Sequence, residues 1–123
     1  MKIITKEYLQ KNPNHILVFG DNNDRIGHGG CAKLRDYQNT YGFITKRKPN
    51  NDDTSFYKPN DYKIVFIQEI NKLKKEIEAN PDKIYLITKL GAGLANKFKI
   101  WEQVIEPNIK DCLEEYKNVK FLF

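Results

Sequence analysis

Cysteine is nearly absent from this 123-residue chain: there are two, Cys31 and Cys112, in no C-x-x-C and at no cysteine–histidine ligand spacing. That spacing excludes the common zinc and dithiol motifs, and neither a metal nor a cofactor is expected. Arginine is scarce as well, with Arg25, Arg35 and Arg47 the only three among 21 basic residues. The rest are lysines scattered beside many asparagines and isoleucines. Arginine forks are the preferred readers of bases and phosphates, so the net charge of +5 and the pI near 9.1 point only weakly to an anionic partner. No apolar run approaches the roughly 20 residues that span a bilayer. In the opening MKIITKEYLQKN, Glu7 and Gln10 fall where a secretory signal needs an apolar core. A cytoplasmic protein with no membrane partner is expected. Also missing are the three-glycine dinucleotide fingerprint and the Gly-Lys-Ser/Thr end of a P-loop.

What is present indicates one globular domain over residues 1–123. Hydrophobic residues make up 40% of the chain and aromatics 12%, too many for a disordered chain, and the length allows one core. The stretch from His15 to Tyr37 organises the reading. An apolar run ends at Gly20, a polar loop follows with glycines at 27, 29 and 30, and a helical pattern is predicted from about Gly30 to Thr40. A loop beyond the carboxyl end of a buried strand, entering a helix, leaves backbone N–H groups free to face an anion, and the helix dipole adds roughly half a positive charge. Asp21, Asn22 and Asn23 can cap that helix or meet ligand hydroxyls and amides. Cys31 is read as a small residue filling a tight contact, and His15 as structural.

Ahead of this stretch, Ile3 and Ile4 are read as a short strand, and a helical turn is capped by Thr5 and ends before Pro13. Behind it, Gly42 is read as a helix stop, Phe43–Thr45 as a short strand, and 46–61 as a long irregular loop whose Phe56 and Tyr57 pin it to the core. Ile67, Ile70, Leu73 and Ile77 mark the inner stripe of a helix from 64 to 80. Ile84–Thr88 suits a central parallel strand. A helical region from about 99 to 117 is interrupted at Pro107, and 119–123 reads as a terminal strand.

The strand at 84–88 also ends in a glycine loop, Leu90-Gly91-Ala92-Gly93-Leu94-Ala95-Asn96. If it lies parallel to and beside the His15 strand, the two carboxyl ends share a crevice, where open α/β sheets bind ligands. Two loops offering N–H groups from opposite sides can clasp a diphosphate.

Phe19-Gly20-Asp21-Asn22, Gly27-His28-Gly29-Gly30-Cys31-Ala32 and Thr88-Lys89-Leu90-Gly91-Ala92-Gly93-Leu94-Ala95 together resemble the macro-domain-like proteins, in particular a group of small phage and bacterial members. The resemblance spans about residues 12 to 105. It implies a three-layer α/β/α sandwich with a mixed, largely parallel sheet and a small-molecule partner of the ADP-ribose class, an NAD-derived nucleotide diphosphate. For a phage-encoded chain it also implies a place in the host cytoplasm and a role in sequestering a host signalling nucleotide. By similarity, Asp21 faces an adenine amino group or a ribose hydroxyl, the loop of Gly27, His28, Gly29, Gly30 and Cys31 one phosphate and the distal ribose, and the 91–95 loop, with Gly91, Ala92, Gly93 and Leu94, the other phosphate; Gly20 and Asn22 are expected to line the ligand, and Lys89 is read as a phosphate partner.

Three rivals stand beside this reading, the plainest a structural or interaction domain whose glycine loops are only turns. An ADP-ribosyl hydrolase would use Asp21, His28 or Lys89 as its catalytic groups, a histidine in the loop serving as acid or base. A nucleic-acid-binding module would use Lys46, Arg47 and Lys48 with Phe56 and Tyr57.

Overall fold

The computed structural model describes residues 3–123, with Cys31 through its backbone alone. Four strands, β1 (His15–Asn22), β2 (Thr40–Lys46), β3 (Ile84–Ile87) and β4 (Val119–Phe121), form one sheet in the order β2-β1-β3-β4. Every pair in it is parallel. The helices are α1 (Lys6–Lys11), α2 (Pro59–Ala79) and α3 (Ile109–Leu113). The protein is therefore of the α/β class, and where a mixed sheet was expected the four strands all run one way.

Period-two alternation divides the core. Ile16 and Val18 of β1, with Tyr85 and Ile87 of β3, join α2 and the segment 100–113 in the main hydrophobic cluster. Leu17 and Leu86, paired across the same strands, point to the other face, where Ile4, Leu9 of α1 and Leu34 cover them. Both faces are thus buried, as the near-continuous apolar runs of β1 and β3 require.

The outer edge of β2 is closed by α2. The buried Glu69 accepts the Ile44 N–H at 2.6 Å, and the Tyr62 hydroxyl donates to the Ile44 carbonyl at 2.5 Å. Two helix side chains thereby satisfy ladder groups that an edge strand would otherwise leave open for pairing.

Several local expectations hold. Thr5 Oγ1 accepts the Tyr8 N–H, α1 ends before Pro13, and Phe56 and Tyr57 are buried. Others are corrected. The helix expected over 30–40 is a short 3₁₀ turn, Gly30–Leu34. Arg35 is drawn back to Asp21, and the Thr40 hydroxyl contacts the Arg35 and Tyr37 carbonyls as β2 begins, so no length of chain remains for a helix. Gly42 is not a helix stop but lies within β2, opposite Phe19. Ile3 and Ile4 form no strand; Ile4 plugs the second cluster while Ile3 is exposed.

The helix expected over 64–80 begins earlier, at Pro59, where a proline fits because first-turn N–H groups lack intrahelical acceptors. Its buried stripe runs Tyr62, Phe66, Ile70, Leu73 and Ile77, leaving Ile67 59% exposed. Near Pro107, whose missing N–H interrupts the ladder, a π-helical turn at Trp101–Ile105 closes with the Glu106 N–H on the Trp101 carbonyl, and α3 follows after the break. β4 ends at Phe121, short of the expected 123.

Candidate functional site

The chain passes from β1 to β2 on one side of the sheet and then to β3 on the other, so the strand order reverses between β1 and β3. At such a reversal the loops leaving neighbouring strands part, and a crevice opens beyond their carboxyl ends. Here it is a cleft of about 460 Å³ lined from the ends of β1, β2 and β3. The expected adjacency of the two glycine-loop strands is met, since His15 to Val18 pair in parallel with Ile84 to Ile87.

Asp21 stands at the base of the cleft, its side chain 2% exposed. Arg35 grips it with both guanidinium nitrogens, Nη2 to Oδ1 at 2.6 Å and Nη1 to Oδ2 at 3.2 Å. Arg25 Nη1 reaches Oδ2 at 3.4 Å, and the Asn22 N–H donates to Oδ1 at 2.8 Å. The carboxylate is neutralised and its lone pairs are engaged. Arg35 also donates from Nε to the Gly27 carbonyl at 2.6 Å and from Nη2 to the Ile26 carbonyl at 3.1 Å. One side chain therefore ties the first glycine loop to the end of β1. Asn22 assists, donating to the Ile26 carbonyl and accepting the Asp24 N–H.

Glycine is needed where these parts meet. A Cβ on Gly42 would fall on the Asp21 carboxylate, and one on Gly29 would stand 2.8 Å from Leu94 Cδ1 of the second loop. Gly91 has φ of +75°, and its Cβ position is walled in by Ile105 and Ile100.

Among the described residues the N–H groups of Gly27, His28, Gly29, Gly91, Gly93 and Leu94 donate to no protein acceptor. Two ammonium groups share the lining with these loops. Lys46, at the end of β2, is half-buried, 4.5 Å from the Phe56 ring centroid, and donates to the Asn50 carbonyl; burial pulls its pKa below the usual lysine value. Lys89 is exposed, 5.5 Å from the Trp101 ring centroid, with no carboxylate among the described residues at salt-bridge distance. Thr45 and Thr88 face the cleft from the strand ends, their hydroxyls held by the Asp21 and Val18 carbonyls. The arrangement offers positive charge and N–H donors to an anion. It supplies them from loops and lysines, without the helix dipole that the sequence suggested.

Most of the residues singled out in the sequence come together here: Gly20, Asp21 and Asn22 from the end of β1, Gly27, Gly29 and Gly30 from the first loop, and Lys89, Gly91, Gly93 and Leu94 from the second. His28 and Ala92 do not line the cleft. His28 Nε2 lies 2.9 Å from Asp36 Oδ2 on the exposed surface, and Ala92 packs against the main core. The Cys31 side chain lies outside the described residues. Sequence reasoning missed Arg35, Thr45 and Lys46 as cleft residues. The signal for the latter two was the Thr-Lys pair at the end of a strand, which recurs at Thr88-Lys89.

The basic loop does not present a stacking surface. Phe56 and Tyr57 are each 6% exposed, and Arg47 lies 4.1 Å from the Tyr57 ring centroid while donating to the Phe56 carbonyl. Among the described residues no three His, Cys, Asp or Glu side chains are grouped to hold a metal ion, and no helix is long and apolar enough to cross a membrane.

Residues 1–100 match the DUF7831 family, a family of unknown function, and the chain belongs to it. No curated protein and no solved structure matches the chain.

Proposed function

We propose that this member of the DUF7831 family binds a nucleotide diphosphate of the ADP-ribose class between its two glycine loops, on a fold of the macro-domain kind. One observation carries the reading: unpaired N–H groups of both loops, with Lys46 and Lys89, surround a cleft whose own carboxylate is already cancelled by arginine. A diphosphate entering it meets donors and positive charge without repulsion from Asp21. The volume suits a nucleotide-sized ligand. Ile26 and Leu94, both exposed apolar side chains on the rim, offer contact for a base or ribose.

The reading is of binding, without turnover. The histidine that a hydrolase would use as acid or base is paired with Asp36 outside the cleft, and the Asp21 oxygens are occupied. Incubation with an ADP-ribosylated protein is expected to release nothing.

Thermal shift against ADP-ribose, NAD, cyclic ADP-ribose forms, cyclic dinucleotides and ATP tests the proposal. A hundredfold excess over the dissociation constant stabilises a folded protein by about 2.7 kcal/mol, an easily measured rise. The expected result is a shift with ADP-ribose-type ligands that is lost in Lys89→Glu and in Gly93→Val, where the added side chain has open space and does not threaten the fold. Flat curves for all these ligands reject the reading.

A further inference from the structure

The positive charge of this protein is concentrated beside the cleft. Segments 46–58 and 88–99 contain Lys46, Arg47, Lys48, Lys58, Lys89, Lys97 and Lys99 against Asp52 and Asp53, an excess equal to the net charge of the whole chain, +5. The two segments touch. The Phe56 and Phe98 rings meet edge to face with centroids 6.4 Å apart, and Lys97 forms an ion pair with Asp53. Around this ring pair three ammonium groups are gathered: Lys46 at 4.5 Å from the Phe56 centroid, Lys97 at 5.5 Å from Phe56 and 5.7 Å from Phe98, and Lys58 at 5.5 Å from Phe98.

A ring face attracts a cation but does not cancel its charge, so Lys46 and Lys58 remain positive groups here, while the exposed Lys97 is shared between Asp53 and an incoming phosphate. Lys46 belongs both to this cluster and to the cleft lining, whereas Lys58 and Lys97 lie beyond the cleft. A free nucleotide reaches Lys46 and Lys89 and leaves the remaining charge unused.

We infer that the same site also takes the phosphorylated end of a single-stranded nucleic acid, its terminal nucleotide in the cleft and its following phosphates on Lys58 and Lys97. The inference rests on the nucleotide reading above and extends it to a polymer. Lysines are point charges that neutralise phosphates without reading bases, so the track is indifferent to sequence. A continuous chain of phosphates leading out of a nucleotide site matches a charge track that starts at the cleft wall.

The test is fluorescence anisotropy with a short, labelled, 5′-phosphorylated oligodeoxynucleotide, run beside the ADP-ribose thermal shift. Wild-type protein is expected to bind the strand, with affinity falling about 20-fold between 50 and 200 mM salt for roughly three phosphates neutralised. ADP-ribose is expected to displace it. The double variant Lys58→Glu/Lys97→Glu, both positions exposed and outside the cleft, is expected to lose at least that factor while its ADP-ribose shift stays unchanged. Strand binding that survives the double variant, that ADP-ribose does not displace, or that polyglutamate reproduces overturns the inference. An intact ADP-ribose shift with no strand binding overturns it and leaves the nucleotide site standing. Loss of both responses in the wild type overturns the two readings together.

Discussion

Arg35 binds Asp21 through two parallel hydrogen bonds of 2.6 and 3.2 Å and, from the same guanidinium, holds the carbonyls of Ile26 and Gly27. The first glycine loop is thus anchored to the end of β1 by a nearly buried ion pair, with the Arg35 side chain 11% exposed. This geometry gives Asp21, at the base of the cleft, a structural duty in holding the first glycine loop.

Removing Arg35 leaves a buried carboxylate with the Asn22 N–H and the long contact to Arg25. Arg35→Met is expected to destabilise the fold by about 3 kcal/mol, the lower end for breaking a buried pair because Arg25 remains. Urea unfolding measures it, and Asp21→Asn added to Arg35→Met should recover part of the loss. An unchanged midpoint in the single variant contradicts the anchoring role.

Gly42 is the space into which the Asp21 carboxylate fits. Gly42→Ala places a methyl against that carboxylate and against Arg25 Nη1, and is expected to cost about 1 to 3 kcal/mol. Gly93→Ala meets open space and should leave thermal stability unchanged. Equal midpoints for the two variants would show that the carboxylate moves aside freely.

At the sheet edge, Glu69→Ala leaves the Ile44 N–H without its acceptor inside a buried contact. The expected cost is about 1 to 3 kcal/mol. Glu69→Gln retains an acceptor oxygen and should cost less. Amide hydrogen exchange at Ile44 is the direct readout; protection retained in Glu69→Ala excludes this role.

Alkaline pH should destabilise the protein. Burial raises the Tyr62 and Tyr85 hydroxyls above their ordinary value of 10.0, with nearby Glu69 and Glu76 adding repulsion of the phenolate, and a hydrogen bond to Glu78 pushes Tyr116 up to about 12. Groups raised in the folded state keep their protons while the unfolded chain releases its own. Their stabilisation is complete below pH 10 and is lost as pH climbs from there through the folded-state values. Unfolding free energy followed across that range should fall, and Tyr85→Phe should flatten the fall. A profile identical in the variant removes Tyr85 from the account.

Strands β1 and β3 and the glycine loops that follow them were legible in the sequence because each depends on neighbours in the chain. Apolar runs at Ile16–Phe19 and Ile84–Ile87, glycines directly after them and a proline at 107 act locally, and parallel neighbours must share an end. What the sequence left open was decided by contacts between distant residues. Whether 30–40 became a helix depended on the pull of Arg35 toward Asp21 and the start of β2 at Thr40. Gly42 took its meaning from a carboxylate on the next strand. Lys46 entered the cleft through strand order, and His28 left it through Asp36. Local patterning sets where strands and turns form; sheet order and buried charge pairing, which act across the fold, set which side chains reach the cleft.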